Sequence, residues 1–198
     1  MNTPPVNLDQ VESLLKLVDR EIWLVTAAAG GKRSGLTATW VSQVSLDRER
    51  PVLLAGLSPR NFTTELVLHS GRFAAHLVPH ELVPLAYRLA ATSGRDGDKL
   101  AGVPLLEHAS EVPVLAAARA WFVCQVFQKL VAGDRVFFWA DVIQAGENRA
   151  GPPLKEQAFF QALTADERRH LKELREADAL ALRPVAAGWR EAAAANRH

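Results

Sequence analysis

The stretch IWLVTAAAGGKRSGLTATWVSQVSLDRERPVLLAGL, residues 22–57, decides the fold. Ile22 to Ala29 is an apolar run with Trp, Val and Thr and reads as a buried strand. Gly30, Gly31, Lys32 and Arg33 make a turn. Leu36 to Leu46, rich in Thr, Val and Trp, reads as a second strand, and Pro51 to Leu57 as a third. No helical segment separates the three, which argues against alternating βαβ units.

Working outward, Leu8, Val11, Leu14, Leu15 and Val18 recur at helical spacing behind Asn7, a residue suited to an N-cap. Asn61 to Ser70 predicts a helix closed by Gly71, and Phe73 to Val78 a strand. Glu81 to Ala91 reads as helix, and Thr92 to Gly102 as a charged, glycine-rich loop. Ala120 to Leu130 and Val136 to Gln144 are long strands joined at Ala132-Gly133-Asp134, a hairpin signal. Gly151, Pro152 and Pro153 form a linker. Thr164 and Glu167 then match a capping box ahead of a charged helix with a thin apolar stripe, which Pro184 is expected to interrupt. Six strands with helical insertions fit a mainly β, antiparallel split barrel flanked by an N-terminal helix and a C-terminal helical extension. The division read from this pattern is 1–20, 21–150 and 151–198.

Composition narrows the classes of function. The chain has 198 residues, 48% hydrophobic and 23% charged, with a net charge of +1. That balance gives no general attraction to nucleic acid or to an acidic membrane. The longest run without Asp, Glu, Lys or Arg is Ser34 to Leu46, thirteen residues, too short to span a bilayer. Met1 to Gln10 carries Pro4, Pro5 and Asp9 and lacks a basic-then-apolar pattern, so no signal peptide is expected. Cys124 is the only cysteine, which excludes intramolecular disulfides and thiolate zinc sites and fits a cytoplasmic protein.

Familiar catalytic motifs fail on particular residues. Gly31-Lys32 is followed by Arg33 where a phosphate loop needs Ser or Thr, and Thr26 stands where it needs Gly. Gly56-Leu57-Ser58-Pro59-Arg60 ends on Arg where a nucleophile elbow needs a small residue. His76 and His80 are four apart, but Pro79 lies between them and His76 belongs to a strand pattern. Cys124 alternates inward on an apolar strand and reads as core. A Rossmann fingerprint is absent.

Three segments survive. Gly35 to Ser45 crowds small hydroxyl residues on one strand, which suits a flat ligand; taken alone it also reads as a strand chosen for β-propensity. Ser58 to Thr64 places donors and Arg60 at a predicted helix N-terminus, which favours an anion or serves as an ordinary cap. Ser93 to Leu100 carries Arg95 and Lys99 on a loop able to close on a phosphate, or simply solvated.

Together, in order and spacing, these residues resemble the flavin reductase-like family, the FMN-binding split barrel. The matching residues are Val25-Thr26, Leu36 to Thr39, Val44 to Asp47, Pro51 to Leu57, Asn61 to Thr64, Ser70 to Ala74, Asp98-Lys99, Cys124 and Gly133-Asp134. The likeness covers about Arg20 to Gly146. It implies that Thr37, Ala38, Thr39 and Trp40 line the isoalloxazine, with Ser42 and Ser45 near it. It implies that Asn61, Thr63 and Thr64 hold the phosphate, with Lys99 as an added cation. The family often has Asn where this chain has His76, and His where it has Arg135; His76 and Arg135 are thus candidates beside the ring, and no catalytic residue is assigned. The implied activity is an NAD(P)H:flavin reductase using FMN or FAD, with hydride passed to flavin N5. The alternative is an FMN-binding electron carrier or accessory subunit of a monooxygenase system. Trp40, Phe62, Trp121 and Trp139 suggest a subunit interface, and a homodimer is expected.

Overall fold

The computed structural model describes residues 6–107 and 111–195; the N-terminal reading over residues 1–5 lies outside them. Seven strands form one antiparallel sheet: β1 (Trp23–Ala29), β2 (Lys32–Ala38), β3 (Val41–Gln43), β4 (Val52–Leu57), β5 (Arg72–Leu77), β6 (Ala120–Ala132) and β7 (Arg135–Glu147). Five α-helices accompany it: α1 (Leu8–Leu15), α2 (Phe62–Ser70), α3 (Val83–Ala91), α4 (Glu156–Ala162) and α5 (Ala165–Ala195).

The sheet order is β2-β1-β5-β6-β7-β4-β3. The single strand expected over Leu36 to Leu46 is therefore two strands at opposite edges of the sheet. The chain turns at Thr39 and Trp40, and that covalent link draws the edges together into a curled half-barrel. Thr, Val and Trp favour strand on both sides of the break, so propensity alone could not reveal it. The Trp40 carbonyl accepts from Gly56 N–H at 2.8 Å and so ties the corner to β4. The β1–β2 turn is also tighter than expected, because Lys32 and Arg33 already pair in the ladder while Gly30 and Gly31 take positive φ.

Alternation on β1 and β2 separates two cores. Trp23, Val25, Ala27, Leu36 and Ala38 face the barrel interior, where Leu66 and Val67 of α2 plug one end. Ile22 and Leu24 face outward against Ala86 and Leu89 of α3, Leu100 and Phe159 of α4. A side chain at Gly35 would meet Leu89 Cδ1 at 3.1 Å, so this glycine lets α3 lie close on β2. Cys124 belongs to the interior core, and burial pushes its thiol up to about 12.

Asn7 Oδ1 accepts from Gln10 N–H at 3.1 Å and caps α1, yet no residue of α1 is buried. Gly71 closes α2 in the left-handed conformation, φ +66°. The capping box forms as expected: Glu167 N–H donates to Thr164 Oγ1 at 3.2 Å, and Thr164 N–H donates to Glu167 Oε2 at 2.8 Å. Pro184 does not interrupt the last helix; α5 runs through it. A proline there removes one backbone donor and costs about 3 kcal/mol relative to alanine. Buried Leu182, two residues earlier, anchors the helix across that point. No helix among the described residues is long and apolar enough to cross a membrane.

Candidate functional site

The sheet register assembles a corner from four separate stretches. Trp40 stands where β2 passes to β3, and it is 45% exposed. The Arg135 guanidinium lies 4.7 Å from its ring centroid, within cation–π range. Arg135 is held by its own turn, donating through Nη1 to the Asp134 carbonyl at 2.7 Å and to Asp134 Oδ2 at 3.0 Å. Leu57 pairs with Val136, which sets Ser58 beside Arg135 and leads directly into Arg60 and Asn61 ahead of α2. Beneath the tryptophan, a side chain at Gly56 would meet Phe137 Cε1 at 2.8 Å and Trp40 Cε3 at 3.4 Å, so only glycine lets these rings lie this close.

Asn61 occupies the N-cap of α2 but makes no side-chain cap hydrogen bond. Arg95 is the loop cation that reaches this end: its Nη1 donates to the Arg60 carbonyl at 2.9 Å, and its Nη2 pairs with Glu65. Arg95 and Lys32 both approach the Phe62 ring, 5.7 Å and 6.0 Å from its centroid. A cleft along this flank of α2 is lined by Lys32, Phe62, Gly94, Arg95, Asp96 and Glu111, cations and carboxylates together. Under Gly94 sits Ser34 Oγ, a buried polar atom with no hydrogen-bond partner among the described residues.

Several expected contacts are taken up elsewhere. Thr37 Oγ1 donates to the Ala86 carbonyl of α3 at 2.7 Å, on the face opposite buried Ala38. Ser42 is exposed on β3 and donates to the Gln43 carbonyl. Ser45 Oγ organises the 45–50 loop, donating to the Arg50 carbonyl at 3.0 Å and accepting from Asp47 N–H at 3.1 Å. Thr63 is buried, and Thr64 Oγ1 donates to the Ser58 carbonyl at 2.7 Å. Thr39 is half-buried at the corner itself.

Lys99 and His76 depart furthest from expectation. Lys99, 9% exposed, donates from Nζ to the Leu89 carbonyl at 2.6 Å. It therefore closes the C-terminal turn of α3, where a cation also meets the negative end of the helix dipole. Burial lowers its ammonium to about 8. His76 is fully buried. Its Nδ1 donates to the Leu24 carbonyl at 2.8 Å, which leaves Nε2 to accept from Leu115 N–H at 3.1 Å. Desolvation lowers its pKa to about 4. A neutral ring with both nitrogens engaged is a structural bridge and has nothing left for a ligand. Among the described residues no cluster of His, Cys, Asp and Glu could hold a metal ion.

The corner thus offers a half-exposed indole, two arginines at its rim and a helix N-terminus without a side-chain cap. These suit a flat ring that carries an anionic tail. Of the expected ring-lining residues, only Thr39 and Trp40 stand at this corner, joined by Asn61 and Arg135. Sequence reasoning missed Gly56, the choice of Arg95 over Lys99 as the loop cation that reaches α2, and α5, which lies across the corner through Asp178, paired with Arg60 at 2.9 Å. No local motif announces Asp178; only its place in the helical repeat of α5 could have drawn notice.

The model of the flavin reductase like domain matches residues 15–162. No curated protein matches the sequence. Among solved structures, an FMN-binding protein from Thermus thermophilus is 22% identical, with a TM-score of 0.63 over 75% of this chain and 79% of that one. Nitrilotriacetate monooxygenase component B from Mycobacterium thermoresistibile is 20% identical, with a TM-score of 0.65 over 75% and 82%. An NADH:FAD oxidoreductase from Streptomyces globisporus is 20% identical, with a TM-score of 0.63 over 74% and 87%. At such identities the solved structures establish a shared fold, and the domain model, spanning most of the sequence, establishes the rest: the chain belongs to the flavin reductase-like family.

Proposed function

We propose that this protein is an NAD(P)H:flavin reductase that binds FMN at the Trp40–Arg60–Arg135 corner. The observation that carries the reading is the Arg135 guanidinium 4.7 Å from the exposed Trp40 ring, beside the open N-terminus of α2. A bound flavin would supply the redox chemistry, taking hydride at N5 from NAD(P)H. Trp40 offers its face to the ring. Arg135, fixed by Asp134, holds positive charge where negative charge would build on a reduced ring. Arg60 and the first amides of α2 receive the phosphate. None of these roles needs a side-chain nucleophile, which agrees with a thiol at Cys124 pushed to about 12 and a neutral His76.

One observation favours the second reading, an FMN-binding electron carrier: the position beside Trp40 is an arginine, which can hold a flavin without acting as an acid or base. Likeness to a monooxygenase component supports a monooxygenase partner that receives reduced flavin. A homodimer is supported by the uncovered apolar face of α1 and by exposed Val44, Leu46, Phe127 and Leu130. The predicted setting is the cytoplasm.

Purified protein should quench FMN fluorescence on titration and oxidise NADH or NADPH only when flavin is present. FMN binding without turnover favours the carrier. Absence of binding rejects the corner as a flavin site.

A further inference from the structure

The helix α5 lies beyond the matched domain, which ends at residue 162. Its contacts repeat at helical spacing: Leu171 packs against the α3–α4 core, Leu182 is buried, and Ala186 and Trp189 lie over Gly133. A side chain at Gly133 would meet Ala186 Cα at 3.4 Å and Trp189 Cε3 at 3.7 Å. Asp178 falls four residues before Leu182 on this same stripe, where the pattern calls for an apolar residue. It is the carboxylate that meets the corner, with Oδ1 2.9 Å from Arg60 Nε.

We propose that Asp178 is a specificity-determining residue: a carboxylate, delivered by α5, that competes with the anionic tail of the ligand for Arg60. This rests on the flavin reading of the corner. An incoming phosphate must displace Asp178 or share the guanidinium with it, whereas an uncharged flavin meets no such competitor. The helix thereby lowers the preference for phosphorylated over unphosphorylated flavin. Anchors on both sides of Asp178, at Leu171 and Leu182, keep the carboxylate in place without requiring the ion pair itself.

The test uses the full chain, with FMN and riboflavin as paired probes. Asp178→Asn keeps the shape and removes the charge; Asp178→Lys reverses it. Both positions of the pair are substantially exposed, so neither change is expected to unfold the protein. The expected result is FMN affinity raised about threefold in Asp178→Asn and further in Asp178→Lys, with riboflavin affinity unchanged. Equal FMN affinity in all three proteins, with flavin still bound, overturns the role of Asp178 and leaves the site standing. Tightening of both flavins to the same degree also overturns it, since that would mark general unblocking and not competition for charge. No binding of either flavin by any of the three rejects the flavin reading and the competition with it.

Discussion

The α3 side of the sheet and the Trp40 corner put similar residues to opposite uses. Toward α3, Thr37, His76 and Lys99 are buried or half-buried polar groups, and each is hydrogen-bonded to backbone: Ala86 O, Leu24 O with Leu115 N–H, and Leu89 O. At the Trp40 corner, Asn61 leaves α2 without a side-chain cap, Trp40 is nearly half exposed, and Arg135 is fixed over its ring but partly accessible. The first group is closed and serves the fold. The second is open, and it is where we propose that the flavin binds. Residue type does not separate them; satisfaction of donors and acceptors does.

The strongest way to break this contrast is at His76. Leucine there would strand the Leu24 carbonyl and the Leu115 amide, at a cost of about 2–5 kcal/mol in chemical denaturation. The native protein should also carry a pH signature. With a folded pKa of about 4 against an ordinary 6.5, the unfolded chain binds the proton first as pH falls. Stability is then fully present above pH 6.5 and declines toward pH 4, by about 3 kcal/mol if this group acts alone. His76→Leu should remove that part of the slope. An unchanged slope would place the acid sensitivity elsewhere.

A smaller effect is expected at the open face. Trp40→Ala should weaken flavin binding about tenfold or more, since ring stacking is worth about 1–3 kcal/mol per aromatic contact. Thermal unfolding should move little, because the side chain is half in solvent already. Full flavin affinity without the indole would remove the ring from this corner.

The smallest binding effect is expected at Lys99, and it sharpens the contrast most. If Lys99 belongs to α3, Lys99→Met should leave FMN affinity within about twofold, where loss of a charged hydrogen bond to phosphate would cost about tenfold. Its linkage runs in the alkaline range. The folded ammonium titrates near 8 and the unfolded one near 10.5, so the native protein gains stability as pH rises between them, and the variant should not.

These assignments also show how far the sequence reads. Most strands were legible, because apolar runs such as Ile22 to Ala29 and Pro51 to Leu57 are bounded by glycine, proline or charge. The α2 helix was legible from Asn61 and Gly71, and the capping box from Thr164 and Glu167. The break at Thr39 and Trp40 was not, since it is the curvature of the whole sheet that demands it. Pro184 misled because local propensity argues for a break, whereas Leu182 is buried and Ala186 lies against Gly133 of the β6–β7 turn. At the site, Trp40, Asn61 and Arg135 could be nominated only through the family resemblance. Which cation reaches α2 could not: Arg95 and Lys99 lie on one loop, and only tertiary packing turns the first toward Arg60 and the second toward Leu89.

The central claim is that the open corner takes an anionic flavin through Arg60. Titration of the native protein and Arg60→Ala with FMN and riboflavin tests it most directly. Arg60→Ala should lower FMN affinity about tenfold, the cost of one charge-assisted contact, and leave riboflavin affinity unchanged. Equal affinity for FMN in both proteins would contradict it.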